Sequence, residues 1–168
     1  VMKLNTMKDS LSAWKNDKAL SEITLCAKLT ALEDVTVTAS DLTSGNNKIA
    51  KENVTATFIK STKAYNGGYL GYGSTTRPIP ADNGSNRSES NDILYQTTPV
   101  DMAKNTIQNV WVEFAIPEDA AAGTYTGTLT VTAKDVAEPL VFTYEVEVFD
   151  AVLPDATEFA DGFDIELW

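Results

Sequence analysis

Apolar and polar residues alternate with a period of two along much of the chain. From Glu22 to Leu29 one face carries Ile23, Leu25, Ala27 and Leu29, and the other carries Glu22, Thr24, Cys26 and Lys28. That spacing predicts a half-buried strand. Val35-Thr36-Val37-Thr38-Ala39 repeats it, and Val54 to Ile59 follows with Val54, Ala56 and Phe58 on one side. The strongest alternations come later: Val110, Val112, Phe114 and Ile116; then Leu129, Val131 and Ala133; then Leu140, Phe142, Tyr144, Val146 and Val148. Short strands separated by turn residues predict an all-β fold, an antiparallel β-sandwich. No stretch has the period of a long amphipathic helix; Val100 to Lys104 and Asp119 to Ala122 suit single helical turns at most.

Two segments break the pattern. Residues 61–92 carry a Gly-, Ser- and Asn-rich run with little periodicity, which predicts one long irregular loop; such insertions in a compact domain tend to be functional. After the last strand, Leu153-Pro154-Asp155 reads as a linker, because Pro cannot continue a central strand. Alternation resumes at Phe163-Asp164-Ile165-Glu166-Leu167-Trp168. The organisation expected is a sandwich domain over residues 1–152, followed by a linker and the first strand of a second domain over 153–168.

Composition narrows the chemistry. Of 168 residues, 43% are apolar, enough for one domain with its own core. A net charge of -11 argues against a phosphate-tracking nucleic-acid partner and against an anionic lipid surface. The charge is uneven: residues 1–112 hold 12 basic and 11 acidic side chains, whereas 113–168 hold 13 acidic ones and only Lys134, which suits a solvated acidic face. With His 0 and Cys 1, neither a Ser-His or Cys-His nucleophile, a His-ligated metal nor a disulfide can be built from this chain. No apolar run reaches the length of a membrane span.

The acids offer no obvious catalytic pair. Glu145 and Glu147 stand two apart and should share the solvent side of a strand. Glu118-Asp119 lies in a turn, and Asp164 and Glu166 alternate with apolar residues. The acids around Asp82-Asn83-Gly84, Glu89 and Asp92 lack the spacing of a calcium loop, so no metal site and no cofactor are assigned. The one ligand-like feature is Tyr65, Tyr69 and Tyr72 with Arg77 among glycines, aromatic faces and a planar donor of the kind that hold sugars. The same rings could equally pack the loop onto the sandwich or onto a partner domain.

Ile116-Pro117-Glu118-Asp119-Ala120-Ala121-Ala122-Gly123-Thr124-Tyr125-Thr126-Gly127 is the most distinctive run, a strand stopped by Pro, a tight crossing and a Tyr-x-Gly entry into the next strand. Runs like it recur in bacterial immunoglobulin-like sandwiches. In order along the chain, it joins Ala13-Trp14-Lys15-Asn16-Asp17, Leu32-Glu33-Asp34-Val35-Thr36-Val37, Ser40-Asp41-Leu42, Phe58-Ile59-Lys60, Asn91-Asp92-Ile93-Leu94, Val110-Trp111-Val112 and Leu153-Pro154-Asp155 with the tail to Trp168. The ordered set resembles the amino-terminal β-sandwich of family 123 glycoside hydrolases and their relatives.

That resemblance implies a non-catalytic accessory domain of a secreted or surface-attached bacterial glycoside hydrolase acting on N-acetylhexosamine-containing glycans, similar to a β-N-acetylgalactosaminidase. Its catalytic Asp-Glu pair would lie in a barrel beyond Trp168, so no catalytic residue is carried over. The partner implied is that C-terminal barrel, contacted through Phe163, Ile165 and Trp168, with the 61–92 loop shaping the cleft rim and a glycan as a further partner. The competing readings are an independent carbohydrate-binding module and an adhesin or cell-wall spacer domain.

Overall fold

A computed structural model describes residues 8–65 and 87–155. Among them run eleven strands: β1 (Lys8–Lys15), β2 (Lys18–Cys26), β3 (Leu32–Ala39), β4 (Leu42–Ser44), β5 (Asn47–Ile49), β6 (Val54–Tyr65), β7 (Arg87–Gln96), β8 (Val100–Met102), β9 (Ile107–Ala115), β10 (Gly123–Thr132) and β11 (Leu140–Val152). A 3₁₀ turn at Lys51–Asn53 is the one helical element among the described residues. The strands form two sheets, β1-β11-β10-β3-β8 with β4 and β5 attached through β10, and β2-β9-β6-β7. This is the immunoglobulin-like sandwich expected, antiparallel throughout except that β1 pairs with β11 in parallel.

The two inner faces are the alternating residues singled out above. Val110, Val112, Phe114 and Ile116 are buried on one sheet, facing Leu129, Val131, Tyr144, Val146 and Val148 of the other. Phe114 and Tyr144 meet across the core with ring centroids 5.0 Å apart at 48°, a tilted pairing that suits the ring quadrupoles. Each such side chain contributes about 1.5–3 kcal/mol by leaving water. The ion pairs Lys8–Glu145, Lys18–Glu113 and Lys134–Glu33 are solvent-exposed and weigh little beside that. Glu145 and Glu147 do lie away from the core, as their spacing predicts.

Several expectations are corrected. Residues 61–65 and 87–92 are not loop: β6 and β7 continue as a paired ribbon from Ser61↔Asn91 to Tyr65↔Arg87. The rest of the expected loop, residues 66–86, lies outside the described residues. Ser61-Thr62-Lys63 and Arg87-Ser88-Glu89-Ser90 have no apolar face, so a ribbon held by backbone pairing leaves no hydrophobic period to find. Val100–Met102 is strand β8, paired with β3, and not a helical turn. Residues 119–122 form a tight crossing in which the Ala120 amide donates to the Pro117 carbonyl at 3.1 Å. Leu29 is 69% exposed, because β2 ends at Cys26 and the chain then turns away.

The Gly123 crossing works as its sequence suggested. Gly123 sits at φ 144°, where a side chain is strained. Tyr125 is buried, and its hydroxyl donates to the Ala121 carbonyl at 2.8 Å, tying the crossing to the core. Gly127 has another cause: a Cβ there would stand 2.5 Å from Leu42 Cδ2 and 3.0 Å from the Asp41 carbonyl oxygen. Gly127→Ala should therefore destabilise the domain by about 1–3 kcal/mol through overpacking. Tyr125→Phe should cost about 0.5–1.5 kcal/mol, the value of one hydrogen bond whose acceptor stays hydrated. Urea denaturation followed by intrinsic fluorescence measures both.

Candidate functional site

The residues proposed for ligand or interdomain contact fall mostly outside the described region. Tyr69, Tyr72 and Arg77, and likewise Phe163, Ile165 and Trp168, lie outside it, while the backbone of Tyr65 ends β6 opposite Arg87. Two other places in the fold gather polar and charged side chains instead, one toward each end of the sandwich.

The first is the corner between β1 and β2. These strands belong to different sheets yet only Asn16 and Asp17 join them. So abrupt a switch needs a left-handed residue, and Asn16 supplies it at φ 59°. Asp17 closes the corner, its carboxylate accepting from the Lys18 amide at 2.7 Å and the Trp14 amide at 3.3 Å. The Asp17 carbonyl accepts from the Ile116 amide at 2.8 Å.

The same corner holds the chain where it leaves β11. Asn16 Nδ2 donates to the Leu153 carbonyl at 2.9 Å and to Asp155 Oδ1 at 3.2 Å. The Leu153 amide donates to the Lys15 carbonyl at 2.8 Å. Lys15 Nζ lies 2.6 Å from Asp150 Oδ1, with its own side chain only 18% exposed. The hydrogen bond from Lys15, and then its charge, lower the Asp150 pKa. A depressed carboxylate favours the folded arrangement above the ordinary aspartate value, and that contribution is lost as pH falls through the lowered one. Two sequence runs 135 or more residues apart, Trp14-Lys15-Asn16-Asp17 and Leu153-Pro154-Asp155, are thus one structural unit.

The second place is a groove of about 460 Å³ toward the opposite end, lined by residues of β3, the middle of β6, the end of β7, β8 and the start of β9. Lys60 Nζ sits 5.2 Å from the centre of the Tyr95 ring, which is 56% exposed. Asp101 Oδ1 accepts from the Asp34 amide at 3.0 Å, and Asp34 is itself left-handed at φ 51°. Gln108 Nε2 donates to the Ile59 and Asn109 carbonyls at 2.7 and 2.9 Å. The sequence reading missed this groove, because its residues are scattered over some 75 positions and share no motif.

Among the described residues the Asp41 carboxyl is likewise held below the ordinary aspartate value, because it accepts a hydrogen bond from the Lys51 amide and lies beside Lys48. Among the described residues no group of three or more acidic or thiol side chains is placed to hold a metal, and no helix is long and apolar enough to cross a membrane.

Comparison with known proteins agrees with the sandwich. A family 123 glycoside hydrolase from Clostridium perfringens, studied for glycolipid glycan hydrolysis, matches over 90% of this chain with a TM-score of 0.75 and 27% identity. This chain covers 24% of that enzyme's length. AvmM, which catalyses macrocyclization in alchivemycin A biosynthesis, matches 85% of the chain and 87% of its own at 7% identity and a TM-score of 0.43. The CooA pilin subunit of enterotoxigenic Escherichia coli matches 89% of the chain and 92% of its own at 14% identity and 0.34. At those scores neither bears on function. No curated protein matches the sequence. The description "Glycoside hydrolase 123 N-terminal domain" matches residues 1–133, every strand from β1 through β10, and the chain belongs to that family.

Proposed function

We propose that this sandwich is a non-catalytic accessory domain of a bacterial glycoside hydrolase acting on N-acetylhexosamine-containing glycans outside the cell or at its surface. Its role is to seat a C-terminal catalytic barrel in a set orientation. The observation that carries this reading is the hold of the Asn16 corner on Leu153 and Asp155. A spacer needs no such hold, since a free linker would serve it. A domain that must present its successor in one direction gains from fixing the chain at the exit, because the entropy of ordering the linker is lost once, on folding.

Two carboxylate-bearing contacts and two contacts to the backbone of Leu153 and Lys15 converge on five residues, and each is modest alone. Together they restrain position and direction of the exit.

The test uses a full-length enzyme that carries this domain. It should hydrolyse aryl β-N-acetylgalactosaminides, and Asn16→Ala should leave kcat on such a small substrate within about twofold while limited proteolysis cuts sooner near 153–160. Loss of stability should be about 1 kcal/mol, in line with one removed hydrogen-bonding side chain. Absence of N-acetylhexosaminidase activity would sink the substrate class, and unchanged proteolysis in Asn16→Ala would sink the seating role.

A further inference from the structure

The groove opposite the exit has an unusual balance of hydrogen-bonding groups. Gln108 Nε2 faces two backbone carbonyls, which only an NH₂ can satisfy, so the amide orientation is set by chemistry. Gln96 Nε2 donates likewise to the Pro99 carbonyl at 3.2 Å, and Asn109 Nδ2 donates to Glu22 Oε1. Gln108 thus spends both amide hydrogens on the protein and keeps its carbonyl oxygen as an acceptor, whereas Gln96 uses one hydrogen and keeps the other. Asn109 Oδ1 is buried without any partner, which ordinarily costs about 1–3 kcal/mol, and being buried it makes no contact with a ligand in the groove. Asp101 uses one oxygen on the Asp34 amide, and the Asp34 carboxylate adds further acceptors.

With acceptors from Asp34, Asp101 and Gln108 and donors from Lys60 and Gln96, such a groove calls for a ligand that both donates and accepts. A divalent cation fits poorly, since only two carboxylates line it and Lys60 shares it. An anion fits worse, with the carboxylates and amide oxygens turned against it. A neutral polyol meets every requirement: its hydroxyls donate to the amide and carboxylate oxygens, accept from Lys60, and its C–H face lies on the exposed Tyr95 ring, which the Lys60 ammonium steadies. The volume of about 460 Å³ is within the range of small-molecule sites.

We infer that this groove binds a neutral saccharide through Asp34, Lys60, Tyr95, Gln96, Asp101 and Gln108. The site goes beyond the seating role and is independent of it. The exit corner adjoins Ala115 and the groove adjoins Ile107, eight strand steps along β9, or about 27 Å at roughly 3.4 Å per residue. A domain attached at the exit therefore leaves this end of the sandwich available to a glycan chain.

The experiment is a ¹H–¹⁵N NMR titration of the 168-residue chain with galactose, N-acetylgalactosamine and N-acetylglucosamine in turn, and separately with calcium chloride. Saturable shifts should appear for at least one sugar, with a Kd on the order of 1 mM, confined to residues 34, 59–61, 95–101 and 107–109. Tyr95→Ala and Asp101→Asn, which alter exposed or hydrogen-bond-preserving positions, should keep the spectrum of the folded domain and weaken binding about tenfold. No saturable shift with any of the sugars, shifts unchanged in both variants, or the same shifts with calcium alone would each overturn the proposal. Activity of a full-length enzyme is not the readout, so its failure and the failure of this site are separable.

Discussion

The contact between the inner face of β9 and the inner faces of β10 and β11 is the constraint on which the molecule depends. Val110, Val112, Val146 and Leu129 are fully buried there, with the Phe114 and Tyr144 rings between them. A register slip by one residue in β9 would turn Trp111, Glu113 and Ala115 inward and expose the whole set. Because β9 pairs with β2 and β6 on either side, its register also sets theirs. The described core holds no buried polar or charged residue, so cohesion comes from packing, and polar contacts are free to act at the ends.

Both ends use that freedom through left-handed, non-glycine residues. Asn16 and Asp34 adopt φ of 59° and 51°, a conformation in which Asn and Asp are tolerated better than bulkier side chains. At one end the result is a sheet switch within two residues that also grips the departing chain. At the other, Asp34 places its amide against Asp101, fixing the short strand β8 beside the groove. The parallel pairing of β1 with β11 follows from the same switch. β1 must lie on the sheet opposite β2, and β11 is the edge that the described strands leave open to it.

The core was legible because burial imposes a period on sequence. Ile23, Leu25 and Ala27, and Val110 through Ile116, alternate since every second side chain must leave water. The Gly123 crossing was legible for a different reason, the steric demand of φ near 144°. Elements without an apolar face were not: β1 contributes only Leu11 and Ala13 to the core, and Ser61-Thr62-Lys63 and Arg87-Ser88-Glu89-Ser90 of the β6–β7 ribbon carry no apolar period. Site residues were the least legible. The Asn16–Leu153 contact spans 137 positions, and the groove draws on five strands, so each exists only once the sheets have closed. The runs around Asn16 and Pro154 did carry a signal, as recurring motifs, but not the fact that they touch.

The sheet edges show how a domain of this kind avoids pairing with itself. β8 is three residues long and offers few free amides. β1 is charged at Lys8, Asp9 and Lys15, two of which engage Glu145 and Asp150 on β11 and so discourage a flat approach. In the second sheet, whose edges are β2 and β7, β7 carries exposed Ile93, Leu94 and Tyr95 in succession, produced by register shifts between Phe58 and Ile59 and between Lys60 and Ser61 that break the alternation. Those bulges twist the edge away from a regular ladder, which protects it from another strand, and they are also what brings Tyr95 to the groove beside Lys60. The irregularity that guards the edge and the placement of the aromatic ring are therefore one feature of the backbone.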